Sequence, residues 1–237
     1  MKYKAIIFDV GDTLLEHYPS EKQIHIGRLK HLGFEISARL TDTISDAITT
    51  TAHEQILKEQ NGTPRMSDED FLAMQDKAAL SCINAEEIGE KESDLLVKLS
   101  DIPIPKQELR LIPGTTEVLQ TLTDKGYRLG IVSNHRASLP DSLKGLGISN
   151  FFETIVVSDI VGVEKPDVRI MEIALENLSL EASVCLYVGD HPFDVLCAKN
   201  AGIDCAWLTA PNNILPESVP HKEDYRIENL QDLIELI

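Results

Sequence analysis

The chain has 237 residues and a formal net charge of −17, long enough for one large domain or for a domain with a second one inserted. Hydrophobic residues make up 43%, which argues against disorder. The acidic balance argues against nucleic acid or an anionic membrane as partner, because both need basic patches, and no apolar run approaches the ~18 residues that cross a bilayer. Any anion site must therefore be a local positive field inside an acidic shell.

The start, Met1 to Asp9, has a basic flank and an apolar stretch too short for a signal peptide, and it reads as a buried strand over residues 4–9 that ends in a Gly-containing turn. A long helical stretch follows. Residues 21–32 end at Gly33, a plausible position just past a helix C-terminus. Residues 37–60 contain neither Gly nor Pro until Gly62-Thr63-Pro64. Ser67-Asp68-Glu69-Asp70 resembles a capping box with Asp70 in place of Glu. Phe71, Met74, Ala78, Cys82 and Ile83 then share one helical face. Ile102-Pro103-Ile104-Pro105 is a stiff, extended connector.

After residue 110 helices and strands alternate. Helices are expected near 114–125, 137–146, 167–178, 192–201 and from Asn229, and strands near 128–132, 153–157, 184–188, 204–208 and 225–227. This pattern means an α/β fold with a Rossmann-like, doubly wound parallel sheet. The first strand belongs with the later ones. The expected organisation is a discontinuous core, residues 1–15 and 110–237, with a helical domain inserted at 16–109. The four cysteines, Cys82, Cys185, Cys197 and Cys205, form no CxxC pair, and Cys185, Cys197 and Cys205 read as small core residues. A reduced, cytoplasmic setting is expected.

In such sheets ligands bind beyond the carboxyl ends of the strands. Asp9, Ser133-Asn134 and Gly189-Asp190 fall at strand ends, Lys165 in a loop after another strand, and Asp194 four residues beyond Asp190. A carboxylate is a competent nucleophile toward phosphorus. Mg²⁺ takes carboxylate and carbonyl oxygens, which Asp9, Asp190 and Asp194 could supply. Ser133 can donate to a phosphoryl oxygen, and Lys165 can balance the charge of Asp9 and of the phosphate. Simpler roles stay open: a strand-end turn for Asp9, a helix N-terminal charge for Asp194, a solvated loop lysine for Lys165, a cap for Ser133.

Phe8-Asp9-Val10-Gly11-Asp12-Thr13-Leu14, Ile131-Val132-Ser133-Asn134, Glu164-Lys165-Pro166 and Val188-Gly189-Asp190-His191-Pro192-Phe193-Asp194 resemble, in order, the four motifs of the haloacid dehalogenase superfamily. The resemblance covers the whole chain. It implies an aspartyl-phosphate at Asp9, a phosphate held by Ser133, Asn134 and Lys165, and Mg²⁺ held by Asp9, the Gly11 carbonyl, Asp190 and Asp194. It also implies that the insertion is a cap that selects a small phosphorylated substrate. Phosphatases of this superfamily usually carry a general acid–base Asp two residues after the nucleophile; here Gly11 stands there, and Asp12, one residue later, would point elsewhere. His17, His25, His135 and His191 read as surface or loop residues with no spacing that singles one out, and Arg136 as either an anion contact or a first-turn helix residue. Two other readings follow: a 2-haloacid dehalogenase, which needs no metal, and a non-catalytic sensor of a phosphometabolite.

Overall fold

The computed structural model describes residues 2–60, 63–64, 66–83, 90–209 and 221–237. Gly62, the first glycine after the stretch 37–60, lies outside them. In chain order the elements are β1 (Ala5–Phe8), β2 (Leu15–Tyr18), α1 (Glu21–His31), α2 (Ala38–Gln60), α3 (Asp68–Ser81), α4 (Glu92–Ser100), β3 (Glu108–Leu111) and α5 (Thr115–Asp124). There follow β4 (Arg128–Ser133), α6 (Leu139–Gly145), β5 (Phe152–Val157), α7 (Ser158–Val161), α8 (Arg169–Leu178), β6 (Cys185–Gly189), α9 (Pro192–Asn200), β7 (Asp204–Leu208), β8 (Tyr225–Ile227) and α10 (Asp232–Leu236). The chain divides into two compact units, Met1–His17 with Leu109–Ile237, and Tyr18–Glu108.

The larger unit is built on a six-stranded sheet of order β5-β4-β1-β6-β7-β8, with every neighbouring pair parallel. This is the Rossmann-like, doubly wound α/β architecture. β1 is central, so its run Ala-Ile-Ile-Phe is buried throughout rather than alternating. Its pleat still sorts the side chains. Ile6 and Phe8 join a core with Val118 and Leu122 of α5 and Leu139 of α6. Ala5 and Ile7 join a second core with Ile170, Met171 and Ala174 of α8 and Val195 of α9. Strand order reverses at β1: β4 and β5 lie to one side, β6, β7 and β8 to the other. That reversal opens a crevice beyond the carboxyl ends of β1, β4 and β6, where ligands settle in folds of this kind.

Two short strands were not foreseen. β2 and β3 pair with each other and not with the main sheet; Glu16 and His17 are exposed, so β2 shows no apolar alternation, and that of β3 spans only four residues. The last helix begins at Asp232 rather than Asn229, because the Asp232 carboxylate accepts from the Glu228 and Asn229 backbone N–H groups and makes a turn there.

The smaller unit is helical apart from the strand ends at its boundary. Ser20 caps α1 in a reciprocal box with Gln23, and Gly33 follows the helix with φ of 93°, a conformation glycine adopts without strain. Its core gathers Ile26 and Leu29 of α1, Ile44 and Ile48 of α2, Ala79 and Leu80 of α3, and Leu95 and Leu99 of α4. The expected face of α3 is displaced. Gln75, Asp76, Ala79 and Leu80 are the buried positions, while Phe71, Met74 and Ala78 are only half-buried. The cause is a polar network: the Asp76 carboxylate accepts from Arg28 at 2.7 Å and meets His25 Nδ1 at 2.8 Å. His25 is thus a buried residue rather than the surface or loop residue expected. Ser67 caps α3, but Asp70 accepts from the Ser67 hydroxyl rather than from its backbone N–H as a full capping box requires. Among the described residues no helix is long and apolar enough to cross a membrane.

Candidate active site

Asp9 follows β1, and its backbone N–H donates to Val188 O of β6 at 2.9 Å, which ties the first carboxylate to the neighbouring strand end. Asp190 follows β6 directly. Asp194 lies in the first turn of α9, where its Oδ2 accepts from the His191 backbone N–H at 2.8 Å and closes a reciprocal cap with His191. One oxygen from each of Asp9, Asp190 and Asp194 lies within 4.8 Å of the others. Asp194 is both a helix N-terminal charge and a member of this cluster.

Lys165 enters from the loop after α7. Its Nζ donates to Asp9 Oδ1 at 2.6 Å, to Asp194 Oδ1 at 2.6 Å and to the Tyr187 hydroxyl at 3.1 Å. The side chain is only 3% exposed, so it is no solvated loop lysine. Asn134 holds the lysine from the side: its Oδ1 accepts from the Lys165 backbone N–H at 2.7 Å and its Nδ2 donates to Lys165 O at 2.9 Å. The Asn134 side chain, expected to face substrate, is engaged with the lysine backbone instead. Ser133 ends β4 and is buried.

Asp9, Asp190, Asp194 and Lys165 together carry a net charge of −2 when all are ionised, a deficit of two positive charges within this group. Burial, followed by the charges of Asp194, Asp9 and Asp12, pushes the Asp190 carboxyl well above its ordinary range. Burial also raises Asp9, with Lys165 opposing and Asp194 adding to the shift. Burial works against the charge on Lys165, but Asp194 and Asp9 outweigh it and its net shift is upward. A hard divalent cation fits a set of carboxylate oxygens carrying this charge deficit.

Three contributors were given no role of their own from the sequence. Thr13, fully buried, donates to Asp190 Oδ1 at 3.0 Å. Gly189 lies under Asp194, and any Cβ there would run into the Asp194 side chain. Tyr187 sits in the interior of β6. The only signal for it was a hydroxyl in an otherwise apolar central strand, where a buried Tyr must find partners. At Gly11 the backbone bridges to Leu15. Asp12 takes a left-handed conformation with φ of 51° and is exposed. His135 and His191 are half-buried, and Arg136 is exposed.

A doubly wound sheet with three carboxylates and a buried lysine at its switch point defines an α/β enzyme with an acidic, cation-seeking centre. Residues 6–208 match the family of haloacid dehalogenase-like hydrolases, and the chain belongs to that family. It is 33% identical over 205 residues to the glyceraldehyde 3-phosphate phosphatase of Methanothermobacter thermautotrophicus, covering 84% of this chain and 83% of the relative. It is 26% identical to the pyrophosphatase PpaX of Oceanobacillus iheyensis, covering 86% and 94%. Among solved structures, the HAD-hydrolase YfnB of Bacillus subtilis bound to magnesium superposes with a TM-score of 0.66 at 20% identity, over 100% of this chain and 99% of that one. The last likeness concerns the fold alone.

Proposed function

We propose that this hydrolase is a Mg²⁺-dependent phosphatase that cleaves a small phosphorylated metabolite through an aspartyl-phosphate at Asp9. The observation that carries the reading is the cluster of Asp9, Asp190 and Asp194 around the buried Lys165 ammonium. Asp9, the Gly11 carbonyl, Asp190 and Asp194 would hold the ion. When bound, it would neutralise the carboxylates and the phosphate, and so let Asp9 meet an anionic substrate. The activities named for the phosphatase and pyrophosphatase relatives support a phosphorus substrate.

In the proposed reaction Lys165 fixes Asp9 Oδ1, and a lone pair of the Asp9 carboxylate attacks phosphorus. The bond from phosphorus to the leaving oxygen breaks, and its electrons leave with that oxygen. Ser133 donates to a phosphoryl oxygen, and Lys165 balances charge as it builds. Water then attacks the phospho-Asp9 and releases phosphate. Asn134 acts through Lys165 by clamping its backbone. Asp194 accepts from the Lys165 ammonium through Oδ1 and from the His191 backbone N–H through Oδ2, so its loss would release the lysine as well as an ion. The helical unit, Tyr18–Glu108, is proposed to be the cap that selects the substrate. The unpaired cysteines agree with a cytoplasmic setting.

The test is turnover of a panel of phosphorylated metabolites with and without Mg²⁺. Full activity in excess chelator would sink the phosphatase reading. Halide release from 2-haloacids without Mg²⁺ would favour a dehalogenase, and tight binding of a phosphometabolite without turnover would favour a sensor.

A further inference from the structure

Resting on the reading of Lys165 just given, we propose that Tyr187 is a positioning residue, which sets the aim of the Lys165 ammonium at Asp9 by supplying its third hydrogen-bond acceptor and tying it to the end of β4. A lysine ammonium has three protons and no acceptor. In water all three are satisfied; at 3% exposure the protein must supply the partners. Asp9 Oδ1 and Asp194 Oδ1 take two at 2.6 Å each. The Tyr187 hydroxyl takes the third at 3.1 Å.

The hydroxyl has one proton of its own and two acceptors in reach, Val132 O at 2.8 Å and Asp194 Oδ1 at 3.1 Å. Asp194 Oδ1 already receives a short bond from the lysine, so the closer Val132 carbonyl takes the tyrosine proton. The phenol oxygen then turns its lone pairs to the ammonium. Val132 is the residue before Ser133. One side chain on β6 therefore joins the strand that carries Ser133 to the loop that carries Lys165. A phenylalanine there would fill the core equally well, but it would remove this acceptor and with it the link from the ammonium to Val132 O. The ammonium would then be aimed by its two carboxylates alone, with no tie to the end of β4.

The experiment uses the whole protein and its Tyr187→Phe variant, with folding matched by near-ultraviolet circular dichroism. The first readout is proton exchange of the Lys165 ammonium, followed by ¹H–¹⁵N NMR, which needs no substrate. Exchange is expected to be about tenfold faster in the variant. The second readout is steady-state kinetics on whichever phosphate the native protein cleaves. There kcat is expected to fall about tenfold with KM within about twofold, since a buried hydrogen bond to a charged group is worth roughly one such decade or more. Simple core packing would move neither readout once folding is matched. Unchanged exchange overturns the proposal whatever the kinetics show. Faster exchange with unchanged kcat overturns it too, because the lysine's aim would then not matter to the reaction. A native protein that cleaves no phosphate sinks the phosphatase reading, and the exchange measurement alone then decides whether Tyr187 holds Lys165.

Discussion

Replacing Gly11 with aspartate would put a carboxylate two residues beyond the proposed nucleophile. The backbone accepts it. An ideal Cβ at Gly11 meets nothing within 4 Å, and Gly11 is not among the glycines with positive φ. A positioned general acid–base is worth roughly 10²–10⁴-fold in rate, or about 3–5 kcal/mol of barrier. Without one, the leaving oxygen departs unprotonated and water attacks phospho-Asp9 unassisted. A leaving group of low pKa tolerates the first deficit, but nothing relieves the second. The native enzyme is therefore expected to prefer acyl, aryl or anhydride phosphates and to accumulate phospho-Asp9 with burst kinetics. The variant is expected to lose the burst and to flatten the dependence on leaving-group pKa. An opposing effect must be controlled. A further carboxylate ~6 Å from another costs about 3 kcal/mol at an effective dielectric near ~20, comparable with the catalytic gain, so the comparison belongs at saturating Mg²⁺. The assay is a rapid-quench series over leaving-group pKa for both proteins. A native protein with no burst and no sensitivity to leaving group would refute the reasoning, and Asp12 and the histidines would then be examined as proton donors.

Asp190→Asn is expected to act with opposite signs on stability and on metal response. The folded protein holds the Asp190 proton more tightly than an unfolded chain does. The stability this contributes is present below about pH 4, near the unfolded value, and is lost as pH rises through the folded value. In chelator at pH 7 the variant, which keeps an oxygen for Thr13, should melt higher than the native protein by ~2–4 °C per kcal/mol gained. The gap should close near pH 4, and only the native protein should gain from added Mg²⁺. A variant that melts lower in chelator at pH 7 would contradict the charge-deficit account. Gly189→Ala is expected to displace Asp194 and so to loosen Lys165, with a loss of roughly 1–3 kcal/mol by overpacking; native melting temperature and kcat in that variant would show that the close approach is harmless.

The alternation of apolar runs with helical stretches after residue 110 was enough to read the parallel sheet, because central parallel strands such as β1 and β6 must be apolar on both faces. The strand-end carboxylates were visible for the same reason: a charge that ends an apolar run stands out. What escaped was the relation between polar groups far apart in sequence. The Asn134 side chain could face substrate or the chain, and only the fold shows it spanning the Lys165 peptide. His25 alone read as a surface or loop residue, and Asp76 lies 51 residues away; together they bury one another and shift the inner face of α3. β2 carries no apolar alternation beyond Leu15, and β3 is too short for the alternation of Leu109 and Leu111 to stand out, although these leucines pack against the main core.

The central strand also governs the order in which the chain can fold. β1 is made first, yet its neighbours are β4, beginning at Arg128, and β6, beginning at Cys185. At ~5–20 residues per second, the ribosome needs on the order of 6–25 s to reach the end of β4 after Phe8 is made. Throughout that interval Ile6, Ile7 and Phe8 have no sheet to enter, while the helical unit, complete once Glu108 is made, is dominated by local contacts that form fast. Protease cleavage of nascent chains stalled at successive lengths should show protection of the helices well before protection of β1. The strand at the centre of the sheet is the one that waits longest for its partners, and it is the stretch that leads into Asp9.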